Sequence, residues 1–309
     1  HIDDEDSLYT MILPDNDAWD KAYARVSPYF ATYNADEAVA DSIQEVQTGQ
    51  AILSGLTFRG RVDAPASKDS LVTVTRDVIY QTGRYFEPYE KLEGSNGLMY
   101  LAKGELVMDD TCTWNKEIVV EAEDLNGRTA SVSTSVYVRN TDVTSAVQGV
   151  SNSSYLEVNN TSGTAEVSFE IPQVLAGKYD VYVDIVPPVV DGTALAQEKT
   201  RLEFRLYYPR LESNGTDHVD RDDDDDPELI VGGDGVDDNQ VKSLKVWSAL
   251  QLPAANYYDG MWFADEENSL DDMNVRTRLR IRTNVKPAEV NVKYRRRFRI
   301  DCIRFVPVP

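Results

Sequence analysis

The stretch AEVSFEIPQVLAGKYDVYVDI, residues 165–185, decides the fold of the larger part of this chain. Apolar side chains occupy every second position in both of its halves: Ala165, Val167, Phe169 and Ile171, then Tyr179, Val181, Val183 and Ile185. Successive side chains of a strand point to opposite faces of the sheet, so this period of two predicts two strands that are each buried on one face. The sequence LAGK between them supplies the turn.

The same period continues on both sides of this stretch. RLEFRLYY, residues 201–208, alternates again, and turn-forming residues separate the strands at NNTSG (159–163) and PPVVDG (187–192). Helical periodicity is nearly absent from about residue 115 onward. The pattern therefore predicts an antiparallel β-sandwich.

Residues 8–111 follow a different, mixed pattern. Asp15 or Asn16 can cap a helix whose apolar residues recur at helical spacing, namely Trp19, Ala22, Tyr23 and Val26. A second helix is predicted at 35–48, with Val39, Ile43 and Val46 on one side. Three strand-like segments follow, at 56–62, 70–81 and 97–108. This part of the chain is expected to be α+β.

Composition excludes several functional classes. The 309 residues carry 53 acidic and 31 basic side chains, a formal net charge of −22, which repels nucleic acid and anionic membrane surfaces. No run of 18 apolar residues exists, so no membrane-spanning segment is expected. The two histidines are the terminal His1 and the loop residue His218, so a hydrolytic triad would have to be built on that one loop histidine. The two cysteines do not have the spacing of metal ligands.

Two strings in the first part resemble fasciclin domains. YTMILPDNDAW, residues 9–19, is similar to the opening motif of that family, and SNGLMYLAKGELVM, residues 95–108, looks like its closing motif. ILSGLTFRGRV, residues 52–62, stands where the family has its central strand, with Phe58-Arg59 in place of the Tyr-His pair found there. The resemblance implies a fasciclin-like domain at 1–111 that is incomplete at its N-terminal side.

The second part resembles the galactose-binding-like jelly rolls that include family-six carbohydrate-binding modules. Four pieces follow the order seen in that family: EIVVEAED (117–124), SYLEVNN (154–160), residues 165–185 and FRIDCIRFVP (298–307). The resemblance implies a β-sandwich over 112–309. The long acidic stretch near 187–270 departs from the family and is expected to be an insertion.

A structural calcium ion is predicted at Glu121, Glu123 and Asp301. The two glutamates stand two apart on a strand whose Ile118, Val120 and Ala122 face inward, so both carboxylates project from the same side. The resemblance implies that this strand meets the aspartate of the closing strand around calcium. Three solvated carboxylates are the alternative.

Two charged segments leave alternatives open. Residues 213–240 hold eleven carboxylates against one arginine, a net charge of −10, and are interpreted as a solvated loop or as a metal site. VRTRLRIRT, residues 275–283, alternates arginines with apolar residues, as do residues 295–299. If NVKPAEVN (284–291) connects these two strands, they pair and share one arginine face. That face either recognises an anionic glycan or is neutralised by the protein's own aspartates.

Aromatic residues indicate a possible ligand site. They are Trp247, Tyr257, Tyr258 and Trp262, most of them in the loop NYYDGMWFADEE. A flat ring offers a surface on which the C–H face of a sugar stacks; the alternative is a loop folded onto the sandwich.

These observations lead to an expected function without catalysis. The chain is expected to be a bacterial cell-surface adhesion-type protein that binds a protein or matrix partner, with glycan binding in a polysaccharide-utilisation system as the alternative. Both resemblances imply a location that is extracellular, on the cell surface or periplasmic, with a lipid anchor on a missing N-terminal segment as one form of attachment.

Overall fold

The computed structural model describes residues 8–141, 147–188, 199–213, 215–222, 226–232, 239–256 and 276–309. The chain forms two compact units, His1–Lys116 and Glu117–Pro309. None of the helices in these ranges is both long and apolar enough to cross a lipid bilayer.

The first unit combines helices with a small mixed sheet. Its elements are β1 Tyr9–Pro14, α1 Asn16–Val26, α2 Glu37–Ser54, β2 Thr57–Arg59, β3 Ser70–Val72, β4 Val78–Tyr80, α3 Gly83–Phe86, β5 Glu90–Gly94, β6 Gly97–Ala102 and α4 Asp110–Thr113. The sheet has the order β2-β1-β6-β5, with β1 and β6 parallel, and β3 pairs with β4 in a separate hairpin.

The first predicted helix is confirmed, including its cap. The carboxylate of Asp15 accepts the backbone N–H of Ala18 at 2.9 Å, which satisfies one of the unpaired donors of the first turn of α1. The same carboxylate oxygen accepts the N–H of Gly104 at 3.0 Å. Asp15 therefore fixes the start of the helix and ties it to the chain that leaves β6.

The predicted apolar side of α2 is confirmed at Ile43 but wrong at Val39 and Val46. Val39 and Val46 are 39% and 43% exposed, whereas the buried residues of the helix are Ile43, Gln47, Thr48, Ala51 and Ile52. At 3.6 residues per turn, Val39 and Val46 lie about 130° and 150° around the axis from the middle of that buried face. The unit buries two polar side chains on the inner face of α2, which hydrophobic periodicity does not indicate.

The described residues of the second unit form twelve strands. They are β7 Ile118–Glu121, β8 Arg128–Ala130, β9 Ser135–Asn140, β10 Ser154–Asn159, β11 Glu166–Glu170, β12 Gly177–Ile185, β13 Thr200–Pro209, β14 Thr216–Arg221, β15 Ile230–Val231, β16 Lys242–Leu252, β17 Arg278–Thr283 and β18 Arg297–Val308. Sheet I has the order β16-β12-β18-β10-β9, with β7 also paired to β18. Sheet II has the order β14-β13-β17-β11-β8, with β15 also paired to β13.

The predicted antiparallel β-sandwich is confirmed by this pairing, since every strand pair in sheets I and II is antiparallel. Alternate side chains of both sheets meet in one core and are at most 2% exposed: Leu156, Val158, Val181, Val183, Phe298, Ile300 and Phe305 from sheet I, and Val167, Phe169, Leu202, Phe204, Leu206, Leu279 and Ile281 from sheet II. Burying each side chain of this size contributes roughly 1.5–3 kcal/mol.

The predicted pairing of the two arginine-rich strands is wrong. β17 lies in sheet II between β11 and β13, whereas β18 lies in sheet I between β12 and β10. Residues 284–296 therefore cross from one sheet to the other instead of closing a hairpin. The alternation of apolar and charged residues cannot distinguish a hairpin within one sheet from a crossing between two sheets, because both strands bury one face in each case.

Parts of the stretch expected to be an acidic insertion contribute strands to the sandwich. β13 is paired on both sides within sheet II, and β16 forms an edge of sheet I. The acidic tract itself begins as β14, whose Arg221 pairs with Asp226 at 3.0 Å and Glu228 at 2.6 Å. Only two of the eleven carboxylates of the tract, Asp217 and Asp220, stand in a described strand.

Candidate functional site

A β-bulge in β18 shapes the outer face of sheet I. Val183 of β12 pairs with Ile303 and Ile185 pairs with Ile300, so the single residue Asp184 stands opposite two residues of β18. Those two are Asp301 and Cys302. A bulge of this kind re-aims side chains, and here it brings three polar side chains together beside the core.

Asp184 is the centre of this group. Arg304 donates from Nε to Oδ2 at 2.9 Å and from Nη2 to Oδ1 at 3.2 Å, and the Cys302 thiol lies 3.3 Å from Oδ2. Burial raises the pKa of the Cys302 thiol, and the nearby Asp184 carboxylate raises it further. The thiol is therefore protonated at neutral pH and acts as a weak donor to Asp184.

A cavity of about 370 Å³ opens next to Asp184. Its lining consists of Gln148, Gly149, Asp184, Gln240, Val241 and Ser243. Two backbone hydrogen bonds hold its loops side by side, from Gln148 N to Asn239 O at 2.7 Å and from Val241 N to Gln148 O at 3.1 Å. The cavity is thus assembled from three separate segments of the chain.

The polar groups of the cavity differ in how they are engaged. Ser243 Oγ accepts from Arg304 Nη2 at 2.7 Å, which leaves the serine hydroxyl free to donate. Gln148 and Gln240 are exposed, and their side-chain amides make no hydrogen bond to any of the described residues. Each amide offers both donors and an acceptor to a ligand.

An aromatic ring stands two residues before Asp184 on the same face of β12. The guanidinium of Arg304 lies 5.0 Å from the centre of the Tyr182 ring, and the ammonium of Lys245 lies 5.1 Å from it. Lys245 also pairs with Asp180 at 2.6 Å. These cation–π contacts fix a half-buried ring beside the cavity.

Two of the three predicted calcium ligands, Glu121 and Asp301, lie in β7 and β18, whereas Glu123 lies in the turn after β7 and not on the strand where the sequence placed it. Cys302 pairs with Glu121, and Ala122 donates its N–H to Asp301 O at 2.9 Å, as the predicted meeting of the first and last strands requires. The Ser151 hydroxyl lies 2.6 Å from Glu121 Oε2 and 2.9 Å from Asp301 Oδ1. Ser151 N–H also donates to Asp301 at 3.0 Å.

Burial and mutual repulsion act on this carboxylate cluster. Burial raises the pKa of Asp301, and the Glu121 and Asp184 carboxylates raise it further. Burial likewise raises the pKa of Glu123, with Glu121 and Asp301 adding to the effect, and its Oε2 is buried with no hydrogen-bond partner in the described chain. Among the residues that the structure describes, no group of three His, Cys, Asp or Glu side chains is arranged to hold a metal ion. The calcium site therefore stays a prediction.

The predicted aromatic ligand residues are only partly described. Trp247 stands in β16 opposite Val181, where it is half-buried and packs against the core of the sandwich. Tyr257, Tyr258 and Trp262 lie outside the described residues. Sequence reasoning did not identify Gln148, Asp184, Gln240 or Ser243, because single polar residues in polar loops give no local pattern.

Comparisons with known proteins give distant matches. No family model matches the chain, and no curated protein matches it. A xanthan lyase from Paenibacillus is 15% identical over 69% of this chain and 14% of that chain, with a TM-score of 0.29. The N-terminal CBM22-1–CBM22-2 tandem domain of Paenibacillus barcinonensis Xyn10C is 12% identical, over 68% of this chain and 54% of that one, with a TM-score of 0.36.

A third match is a structure of carbohydrate-binding modules from the β-sandwich superfamily, whose specificity is described as promiscuous. It is 10% identical over 77% of this chain and 70% of that chain, with a TM-score of 0.27. The chain thus spans a seventh of the lyase and about half of the tandem domain. The β-sandwich is established by the strand pairing of sheets I and II, and the fasciclin resemblance of residues 1–111 stays a prediction.

Proposed function

We propose that the β-sandwich of this chain is a non-catalytic glycan-binding module whose ligand enters the cavity beside Asp184. The observation that carries the proposal is the chemistry of the cavity lining. It combines two amides that make no side-chain hydrogen bond to the described residues, a carboxylate held in place by Arg304 and a hydroxyl with a free proton. Sugar hydroxyls both donate and accept, and this set supplies a partner for each role.

The size of the cavity supports a small ligand portion. Its volume of about 370 Å³ lies at the lower end of the range for ligand pockets, roughly 300–1,000 Å³. That space suits one sugar residue or a chain end better than a long polymer segment.

The charged groups at the site support binding without catalysis. Asp184 is engaged on both oxygens by Arg304, and the raised pKa of Cys302 keeps its thiol protonated and a poor nucleophile. Both groups therefore hold the cavity in shape. The proposed setting is outside the cytoplasm, as both sequence resemblances imply.

A glycan array followed by calorimetry tests the proposal. We expect saturable binding of at least one neutral glycan by the wild-type chain. The double variant Gln148→Ala/Gln240→Ala should lose about tenfold in affinity, since two amide hydrogen bonds contribute about 0.5–1.5 kcal/mol each. Gln50→Ala, which changes an exposed glutamine of α2, is the matched control and should bind like the wild type.

Two outcomes would contradict the proposal. Unchanged affinity in the double variant would remove the cavity as the binding site. No binding across the array would favour attachment to a protein or matrix partner, the other function expected from the sequence.

A further inference from the structure

The outer face of sheet II carries arginines whose charges are balanced unequally. Arg276 pairs with Glu170 at 2.7 Å, and Arg282 pairs with Glu203. Arg205 Nη2 donates to Asp220 Oδ2 at 2.6 Å. These three arginines are neutralised by carboxylates of the same face.

The two arginines between them are not neutralised in this way. Arg280 forms only a long ion pair with Glu203, at 3.9 Å, and shares that carboxylate with Arg282. Arg278 forms no ion pair with any of the described residues, and its Nε is buried without a hydrogen-bond partner there. Its guanidinium lies 4.7 Å from the centre of the Tyr207 ring. A buried guanidinium Nε that makes no hydrogen bond to the described residues is unfavourable, so this part of the face is incomplete as it stands.

Strand register makes the imbalance larger. Arg280 stands directly opposite Arg205 of β13, and like charges at opposed positions destabilise a sheet. On the other side it faces Ser168 of β11, whose side chain carries no charge. Arg278 stands opposite Glu170 of β11, but that carboxylate pairs with Arg276. Among the described residues, each of the two arginines thus has only a carboxylate that another arginine already engages.

We propose that Arg278 and Arg280, with Tyr207 and Ser168 beside them, form a second site that binds the carboxylate of an acidic glycan. Guanidinium groups match a carboxylate through two parallel hydrogen bonds. The Tyr207 ring and the Ser168 hydroxyl flank the two arginines and provide contacts suited to a sugar. That the ligand is a glycan rests on the proposed function. That it carries a carboxylate follows from the two guanidinium groups.

The overall charge restricts the ligand further. A net charge of −22 repels polyanions of high charge density, and this repulsion acts against nucleic acid. A polyuronate carries one carboxylate per sugar. It can place a carboxylate on the two arginines and is repelled less by the rest of the protein than a polyanion of higher charge density. Acidic protein segments are the competing class, and the test below separates them.

Affinity electrophoresis with polygalacturonate tests the site, with fully methyl-esterified polygalacturonate as the uncharged probe of the same backbone and polyglutamate as the peptide probe. We expect retardation by polygalacturonate alone. Arg278→Gln/Arg280→Gln should weaken that binding about tenfold or more. Arg276→Gln/Arg282→Gln makes the same charge change in the same segment of the chain, at arginines that are already paired, and should change binding by less than about threefold.

Three results would overturn the site: equal retardation by the esterified polymer, equal losses in the two double variants, or stronger binding of polyglutamate. Ser168→Glu is a second variant that places a carboxylate opposite Arg280, and it should block uronate binding even if Arg278→Gln/Arg280→Gln folds poorly. The Gln148→Ala/Gln240→Ala variant should keep uronate binding. If this variant loses neutral-glycan binding and keeps uronate binding, the cavity and the arginine site act independently. Failure of the cavity proposal can then be told apart from failure of the arginine-site proposal.

Discussion

Calcium binding at the carboxylate cluster of Glu121, Glu123 and Asp301 has a measurable consequence for stability. The distances from Ser151 Oγ place Glu121 Oε2 and Asp301 Oδ1 at most about 5.5 Å apart. At an effective dielectric constant of about 20, two unit charges at that distance repel by about 3 kcal/mol before further solvent screening. A divalent cation replaces this repulsion with attraction, and the Ser151 hydroxyl is itself a suitable oxygen ligand.

The expected result is a higher melting temperature in calcium than in chelator. A ligand at a hundred times its dissociation constant stabilises the folded state by about 2.7 kcal/mol. For a unit of this size, Glu117–Pro309, that corresponds to a shift of roughly 5–10 °C in differential scanning calorimetry. Magnesium should give a smaller shift, because it demands stricter geometry and sheds its water reluctantly.

Glu123→Gln is the control for this mechanism. It removes one like charge, so it should raise the melting temperature in chelator and reduce the shift caused by calcium. The pKa of Glu123 is raised in the folded state, so its unfavourable contribution is present above that pKa and disappears as the pH falls through it. The gain from Glu123→Gln in chelator should therefore shrink between pH about 7 and about 4.

The reasoning fails if calcium leaves the melting temperature unchanged in both the wild type and Glu123→Gln. It also fails if Glu123→Gln destabilises the unit in chelator, since that result would mean that the carboxylate is favourable where it lies.

Two further predictions concern the second unit and the cysteines. Asn160 is 4% exposed, donates to Ser133 Oγ and Thr164 O, and accepts from the N–H groups of Ser162 and Gly163. Asn160→Ala should therefore lower the free energy of unfolding, measured in urea, by about 2–4 kcal/mol. The control Asn159→Ala should lower it by less than about 1 kcal/mol. A loss below about 1 kcal/mol for Asn160→Ala would contradict the hydrogen bonding described. Both cysteines are free, and Cys302 is 4% exposed while Cys112 is half-buried, so alkylation without reductant should add one label to the native chain and a second after denaturation. Two labels at equal rates in the native chain, or none in the denatured one, would refute this.

Alternation along the sequence was sufficient to predict the β-sandwich, because residues such as Val167, Val181 and Phe204 must face one core whatever the order of the strands. It was not sufficient to assign strands to sheets. β17 and β18 both alternate arginines with apolar residues, and residues 284–296 have a length that suits either a hairpin loop or a crossing between sheets. The long-range pairing that decides between them is a property of the whole fold.

The candidate site shows the same limit at smaller scale. The meeting of Glu121 with the closing strand was predictable, since the resemblance gave the order of the two strands. The cavity was not, because Gln148, Asp184 and Gln240 come from separate loops and strands, and it is the bulge opposite Asp184 that brings Asp301 and Cys302 alongside them. A one-residue irregularity in a strand has no signature in hydrophobic periodicity.

The bulge at Asp301 and Cys302 also determines which insertions and deletions β18 can tolerate. Ile300 and Ile303 both face the core although three positions separate them, so the inward phase of the strand changes from even to odd numbers at this point. A deletion of either bulged residue would leave a regular strand in which Ile300 and Ile303 are two positions apart and both still face the core. A deletion elsewhere in β18 would instead turn every inward side chain beyond it to the other face. Relatives of this chain that keep the site should therefore keep both bulged residues, whereas relatives that lack one of them can keep the strand pairing but lose the pair of side chains opposite Asp184.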